Sequence, residues 1–169
     1  MNFSHKNIIK YCNRPFKSKE EMDETMVKNW NSVVSSGDTV YHLGDFSFYN
    51  STIKTNQMLL RLNGKIIFCQ GNHDKDINQI FPRLPQIIIL RHEGRRLILC
   101  HYAMRVWDNS HRNSWHLYGH SHGTLPSIGK SHDVGVDSNK FTPISFDQLK
   151  DIMSKKPDNG NCLPDFKGK

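Results

Sequence analysis

Apolar residues recur at helical spacing in the amino-terminal part of the chain. Met22, Met26 and Trp30 are each four positions apart, so they would share one face of a helix. The Ser-Lys-Glu-Glu segment at 18–21 is a capping box that would begin this helix, and Ser36-Gly37 would end it. We therefore predict a helix that packs its Met and Trp side chains into a core.

Four short apolar runs, each rich in β-favouring residues, are followed closely by polar residues. We predict that each run is a buried strand whose carboxyl end leads the polar segment into a loop. The runs cover 39–43, 65–69, 96–100 and 115–118, and the segments that follow them are Gly44-Asp45, Gly71-Asn72-His73-Asp74, His101 and Gly119-His120-Ser121-His122. Ligands of α/β sheets gather at the carboxyl ends of strands, so these four loops are expected to meet.

The remaining segments predict further helices and strands. A helix is expected over 52–62, a hairpin joins 85–90 to 96–100, a strand covers 133–136, and a second capping box at 145–148 opens a helix to about 153. Strands that alternate with helices indicate an α/β fold. We predict one domain over 1–154 and a surface extension over 155–169.

Composition limits the classes of function. The chain has 23 Lys and Arg against 16 Asp and Glu, and its net charge of +7 favours anionic partners but is equally typical of a solvated surface. Ten histidines are a surplus that suits metal binding or proton transfer. The four cysteines form no Cys-x-x-Cys pair, which argues against a zinc ribbon. The sequence shows no apolar signal core and no run of ~18 apolar residues. We therefore expect a cytoplasmic protein with no membrane partner.

Taken together and in this order, the four polar segments resemble signature blocks of the calcineurin-like metallophosphoesterases. Similarity to a small bacterial and phage subgroup extends to the segments 5–9 (His-Lys-Asn-Ile-Ile), 13–16 (Asn-Arg-Pro-Phe), 104–107 (Met-Arg-Val-Trp) and 114–118 (Ser-Trp-His-Leu-Tyr). The resemblance implies a four-layer α-β-β-α sandwich with two facing β-sheets, and hydrolysis of phosphomonoesters or phosphodiesters.

The same resemblance implies a metal centre. One divalent ion would be held by Asp45, Asn72, His101 and His120, and His122 would serve a second ion. Carboxylate, amide and imidazole ligands suit Mn, with Fe, Zn or Ni as alternatives. A pair of ions lowers the pKa of bound water toward ~7, so that a metal-bound hydroxide attacks phosphorus. His73 is the expected general acid, with Asp74 fixing its tautomer and raising its pKa.

The chain departs from the family pattern at its amino terminus. The family supplies an Asp and a His to the second metal site from an Asp-x-His block on its first strand. Alignment on Phe3-Ser4-His5 puts Asn2 at the position of that His and the Asp before Met1. We therefore expect the first strand to be missing, the second metal site to be weakened, and an exposed sheet edge that would permit oligomerisation.

Several residues outside the blocks are candidates for other roles. His5, Arg105 and Arg112 could each donate to a phosphate oxygen, although a solvated loop explains the two arginines equally well. Asp133 and Asp137 are expected to support the loops of the site.

Three functional hypotheses remain open. The first is a metal-dependent phosphoesterase whose substrate is a phosphate ester, with a nucleotide or nucleic acid among the options. The second is a degenerate relative that binds metal and phosphate with little turnover. The third, drawn from the net charge and from Arg91, Arg95 and Arg96, is a nuclease or cyclic-nucleotide phosphodiesterase. Against the third hypothesis, the chain lacks a pattern of aromatic residues interleaved with basic ones, on which bases would stack.

Overall fold

A computed structural model of the chain describes residues 1–160. The predicted extension beyond residue 160 lies outside the described residues. The helices are α1 (Lys6–Tyr11), α2 (Lys19–Val33), α3 (Thr52–Leu59), α4 (Lys75–Ile80) and α5 (Phe146–Ser154), with a 3-10 turn at Val136–Ser138. The strands are β1 (Thr39–His42), β2 (Lys65–Phe68), β3 (Ile87–His92), β4 (Arg95–Cys100), β5 (Trp115–Tyr118) and β6 (Ser131–Asp133).

Residues 1–160 form two β-sheets. The first contains β1 and β2, which run parallel. The second has the order β3-β4-β5-β6, in which β3 and β4 form the predicted hairpin and the other neighbours are parallel. With helices packed against them, the sheets form the mixed α/β sandwich that the resemblance implied, so the predicted fold class is confirmed.

Helix α2 packs one apolar face, as its periodicity predicted. Met22 and Met26 are fully buried, and the Trp30 indole, also buried, donates to the carbonyl oxygen of Asn63 at 2.9 Å. Only half of the predicted capping box forms. Ser18 Oγ accepts from the N–H of Glu21, whereas the Glu21 carboxylate accepts from Lys17 rather than from Ser18.

Helix α5 has the complete capping box that was predicted for it. The hydroxyl of Ser145 accepts from the N–H of Gln148, and the Gln148 side chain accepts from the N–H of Ser145. This fixes the start of an amphipathic helix that buries Leu149 and Met153 in a second core cluster with β4 and β5.

Several predicted elements differ from those observed. Helix α3 ends at Leu59, three residues early, because residues 60–62 tighten into a turn. The strand predicted over 133–136 is β6, which ends at Asp133 and gives way to the 3-10 turn. The predicted surface extension is exposed at residues 155, 157 and 158 but is anchored at Asn159. That residue is buried, its N–H donates to Ser110 O at 3.1 Å, and its side-chain amide donates to Arg105 O at 2.7 Å.

The first three residues run alongside the loop that follows β1. The N–H of Asn2 donates to Asp45 O, and the N–H of Phe3 donates to Phe46 O, both at 2.9 Å. Phe3 also forms an isolated parallel bridge with Ser47, and its fully buried ring meets the Phe46 ring edge to face. The amino terminus is thereby fixed beside Asp45.

Two glycines allow the loops after β1 and β2 to touch. Gly44 has a φ of +88°, and a Cβ added to it would lie 2.6 Å from the Cα of Gly71. No side chain fits between the two backbones, and the left-handed conformation itself favours glycine. The two loops that carry Asp45 and Asn72 are therefore in direct backbone contact.

Within residues 1–160, no helix has the length and apolar character needed to cross a membrane.

We predict that Gly44→Ala destabilises the protein by about 3 kcal/mol, because the added Cβ both overpacks the loop contact and occupies a left-handed backbone. Gly37→Ala is the matched control, since a Cβ there would meet nothing within 4 Å. Urea unfolding followed by tryptophan fluorescence measures both free energies of unfolding. Equal midpoints for the two variants would show that the loop contact is not tight.

Candidate metal centre

The carboxyl ends of four strands converge on one region. Parallel pairing of β1 with β2 brings the ends of these strands to one edge of the first sheet, and β4 with β5 does the same in the second. Asp45 and Asn72 follow the first pair of strands, while His101 and His120 follow the second pair. The predicted meeting of the four loops is observed.

Four potential ligand atoms surround one point. Nε2 of His101 lies 3.0 Å from Asn72 Oδ1, 3.1 Å from His120 Nδ1 and 3.5 Å from Asp45 Oδ2. The ligand atoms of Asp45, His101 and His120 all lie within 4.8 Å of one another. This separation leaves space for one cation among them.

The tautomer of neutral His101 suits a metal ion. Nδ1 of His101 lies 2.7 Å from the carbonyl oxygen of Leu43, which accepts a hydrogen bond, so this nitrogen carries the proton of the neutral ring. Nε2 then faces the other three atoms with a lone pair. A single added proton on Nε2 would satisfy only one of those three acceptors, whereas a divalent metal ion satisfies all of them. The residues present therefore fit a metal ion.

The Asp45 carboxylate is prepared as an anionic ligand. Its Oδ1 accepts from the N–H of His73 at 2.9 Å. In the metal-free protein, burial would raise the pKa of Asp45, but hydrogen bonds from the protonated His101 ring and from the His73 N–H outweigh burial and hold that pKa at about 2. The carboxyl group is therefore ionised at neutral pH.

Backbone strain is concentrated at the candidate ligands. Asp45, His120 and His122 have φ angles of 54°, 62° and 49°, although none of them is glycine. Such left-handed residues cost of order 1–3 kcal/mol each and persist only where surrounding contacts enforce them. At these positions the loops turn sharply enough to aim three side chains into the same cavity, of about 120 Å³.

Asp74 has a different role from the one predicted. Its buried carboxylate accepts three backbone N–H groups, from Asp45 at 2.9 Å, Phe46 at 2.8 Å and Gly71 at 2.8 Å. Within residues 1–160, the Asp74 carboxylate accepts these backbone donors and no hydrogen bond from the His73 ring, so the structure does not show the predicted contact. Asp74 ties the loop after β2 to the loop after β1.

A carboxylate orients the ring of His122. Its Nδ1 lies 2.7 Å from Asp137 Oδ2, and the Arg14 guanidinium binds both oxygens of Asp137 at 2.7 and 2.8 Å. Arg14 is fully buried and also donates to the side-chain oxygen of Asn2 at 3.3 Å. Asp137 therefore supports the site, as expected, and the Asn2 oxygen faces a guanidinium.

Cys12 is a neighbour that the sequence analysis did not consider. Its sulfur, a ring nitrogen of His122 and a carboxylate oxygen of Asp137 lie within 4.8 Å of one another. Burial raises the pKa of the Cys12 thiol, which keeps it neutral at pH 7. Because Arg14 already binds both oxygens of Asp137, this trio is better explained as part of the ion-pair network than as a second metal site.

Asp133 supports the neighbouring loop, as the sequence predicted. One carboxylate oxygen accepts from the N–H of Gly123 at 2.9 Å and the other from the N–H of Gly135 at 2.8 Å. These bonds join the loop that carries His122 to the segment after β6.

His5 and His73 are linked by an aromatic side chain. The Phe48 ring centroid lies 4.0 Å from the His5 ring and 4.9 Å from the His73 ring. His5 Nδ1 accepts from the N–H of Ile8, so the neutral ring carries its proton on Nε2 and can donate from there. Burial and then the charge of Arg14 lower the pKa of His5, which favours this neutral form.

The two candidate arginines lie away from the metal centre. Neither Arg105 nor Arg112 is among the residues that line the central cavity within the described part of the chain. The Arg105 side chain is exposed, and Arg112 lines a separate recess at the other end of β4. Nothing in this geometry brings either side chain to the metal centre.

Comparison with known proteins agrees with this site. Residues 23–136 match the calcineurin-like phosphoesterase superfamily domain. The chain belongs to this superfamily.

Two similar proteins extend the match beyond that domain. The uncharacterized protein MJ1445 of Methanocaldococcus jannaschii is 37% identical over 164 residues, which cover 90% of this chain and 87% of that protein. The crystal structure of AQ665, a protein of unknown function from Aquifex aeolicus, superimposes with a TM-score of 0.69 at 25% identity, covering 89% of this chain and 94% of the other. Similarity to known proteins therefore covers most of this chain.

The ion pairs of Asp137 predict how the stability of the metal-free protein depends on pH. Burial would raise the pKa of Asp137, but hydrogen bonds from His122 and Arg14 hold it at about 2. Because the pKa is lower in the folded state, the stabilisation is present above pH ~4 and is lost as pH falls through ~2. Asp137→Asn should therefore lower the free energy of unfolding by about 2 kcal/mol at pH 6 and by much less near pH 2.

Urea unfolding at several pH values, with EDTA present, measures this difference. Asp151→Asn serves as the control, because Asp151 is an exposed residue and should change stability by less than about 0.5 kcal/mol. If the difference in free energy of unfolding between wild type and Asp137→Asn does not vary with pH, the lowered pKa of Asp137 is contradicted.

Proposed function

We propose that the protein is a metal-dependent phosphoesterase that hydrolyses phosphomonoesters or phosphodiesters. The observation that carries the proposal is the convergence of Asp45, Asn72 and His120 on the lone pair of His101. Membership of the phosphoesterase superfamily and the net charge of +7, which suits an anionic substrate, support it.

The four convergent residues would hold one divalent ion, with Mn the first choice. When bound, the ion supplies Lewis acidity toward a phosphate oxygen and lowers the pKa of bound water. Asp45 and Asn72 contribute oxygen ligands and the two histidines contribute nitrogen ligands, a mixed set that also suits Fe, Zn or Ni.

In this proposal, His73 would protonate the leaving alkoxide. Its exposed ring packs on Phe48, and its backbone N–H is fixed on Asp45 Oδ1. The ring is therefore beside the proposed metal ligands and accessible to a substrate. His5, with a proton on Nε2 and Phe48 between it and His73, would donate to a non-bridging phosphate oxygen.

A second candidate function is a degenerate relative that binds metal and phosphate with little turnover. The observation in its favour is that Arg14 engages Asp137 and Asn2 on the side of His122. A guanidinium there competes for oxygens that a second ion would need. Binding of one metal ion per chain, without ester hydrolysis, distinguishes this function from the first.

Hydrolysis assays with Mn test the enzyme and the role of His73. We expect wild type to release phenol from phenyl phosphate and nitrophenol from p-nitrophenyl phosphate or its bis-ester. His73→Ala should lower kcat on phenyl phosphate by 10²–10⁴-fold, because loss of a general acid costs about that much. The effect on p-nitrophenyl phosphate should be smaller, since that leaving group needs less protonation.

His92→Ala is the matched control, because His92 is an exposed histidine at the end of β3, away from the metal centre. Equal losses with both leaving groups would contradict the acid role of His73. If the metal-loaded protein hydrolyses none of these esters, the enzyme hypothesis is rejected in favour of the degenerate binding protein.

Elemental analysis after dialysis against Mn tests the ligand set independently of turnover. Wild type should retain at least one ion per chain, and His101→Ala should retain less than a tenth of that amount. His116→Ala is a control for a buried histidine, since His116 bonds to Ile98 O and to the N–H of Met104 instead. Equal metal content in wild type and His101→Ala would reject the proposed centre.

A further inference from the structure

A second recess lies at the far end of β4 from the metal centre. It has a volume of about 270 Å³ and is lined by Arg91, Gly94, Arg95, Arg96, Asn109, Arg112, Asn113 and Ser114. Arg95 begins β4, whereas His101 follows the end of that strand, so roughly 20 Å of extended chain separates the two sites. The recess is therefore a different site from the metal centre.

The recess concentrates positive charge that the protein itself does not balance. Four of its residues are arginines, and within residues 1–160 only Arg96 forms an ion pair, with Asp108. Arg91 and Arg96 are directly opposite each other on the antiparallel strands β3 and β4. Like charges in that position destabilise a sheet unless an anion lies between or beside them.

A side-chain amide adds to the donors that line the recess. Asn113 adds further donor capacity, because its Oδ1 already accepts from Lys130 at 2.7 Å, which leaves its NH₂ group as the donor end.

The lining favours a small oxyanion over a nucleic acid. Arginine forks and amide N–H groups match the oxygens of phosphate, and each such charge-assisted bond is strong. Single-stranded nucleic acids bind through aromatic side chains on which bases stack, and the lining of this recess contains none. The Trp115 ring lies under Arg95, but it is buried. The volume is also below the range typical of larger ligands.

We propose that this recess is a binding site for a tetrahedral oxyanion, either free phosphate or the phosphate group of a small ester, and that it is separate from the metal centre. Arg91, Arg95 and Arg112 supply charge that no carboxylate of residues 1–160 neutralises. The proposal does not depend on the proposed hydrolytic function.

Calorimetric titration of the full chain with inorganic phosphate tests the site. EDTA is present to exclude binding at the metal centre, and NaCl holds the ionic strength constant. Wild type should bind phosphate, and Arg91→Gln/Arg112→Gln should bind it at least tenfold more weakly. The matched control is Lys28→Gln/Arg83→Gln, which removes the same charge from exposed positions outside the recess and should bind as wild type does.

Thermal unfolding adds a readout that separates binding from folding. Without phosphate, Arg91→Gln should melt no lower than wild type, because it removes the repulsion from Arg96. With phosphate, only proteins with an intact recess should melt higher. If both double variants bind phosphate equally weakly, the loss of binding reflects net charge alone, and the proposal is overturned.

A third arm uses methyl phosphate and a short thymidine oligonucleotide as probes. Binding of methyl phosphate as tightly as phosphate would indicate that the site accepts small esters, and weaker binding would indicate free phosphate; both outcomes support the site. Recess-dependent binding of the oligonucleotide without binding of phosphate would overturn the small-oxyanion assignment in favour of a nucleic-acid surface.

Discussion

The candidate metal centre depends on the direct contact between the loops that follow β1 and β2. Gly44 and Gly71 let the two backbones touch, and the Asp74 carboxylate ties them by accepting N–H groups from both loops. A buried carboxylate with three backbone donors is a strong tie, because each bond to a charged group contributes about 1.5–3 kcal/mol. Without it, Asp45 and Asn72 would not be held on the same side of His101.

Much of the fold and the four convergent side chains could be predicted from the sequence. Short apolar runs end in Asp45, Asn72, His101 and His120, and parallel strands bring such ends to a common edge. The helix α2 and the capping box of α5 are also local patterns, set by side-chain period and by hydrogen bonds three residues apart. Local signals of this kind are present in the chain before it folds.

The parts that could not be predicted are pairings between distant residues. Arg14 and Asp137 are 123 positions apart, and no period or spacing connects them. Asp74 follows His73 directly, which suggested that it orients that ring, yet its carboxylate bonds to the loop after β1. Arg112 looked like a substrate contact because it lies between two blocks, but the loop before β5 brings it to the arginines of the β3–β4 hairpin. Tertiary packing decides each of these partners.

The two sites pose opposite electrostatic problems along the same strand. At the carboxyl end of β4, oxygen and nitrogen ligand atoms of four side chains converge, and a divalent cation can bind all of them at once. At its amino end, Arg91 and Arg96 lie directly opposite each other, and the proposed oxyanion would offset the charge of the arginines around it. Since folded proteins generally pair their buried polar groups, each arrangement is most economically explained by a ligand that completes it.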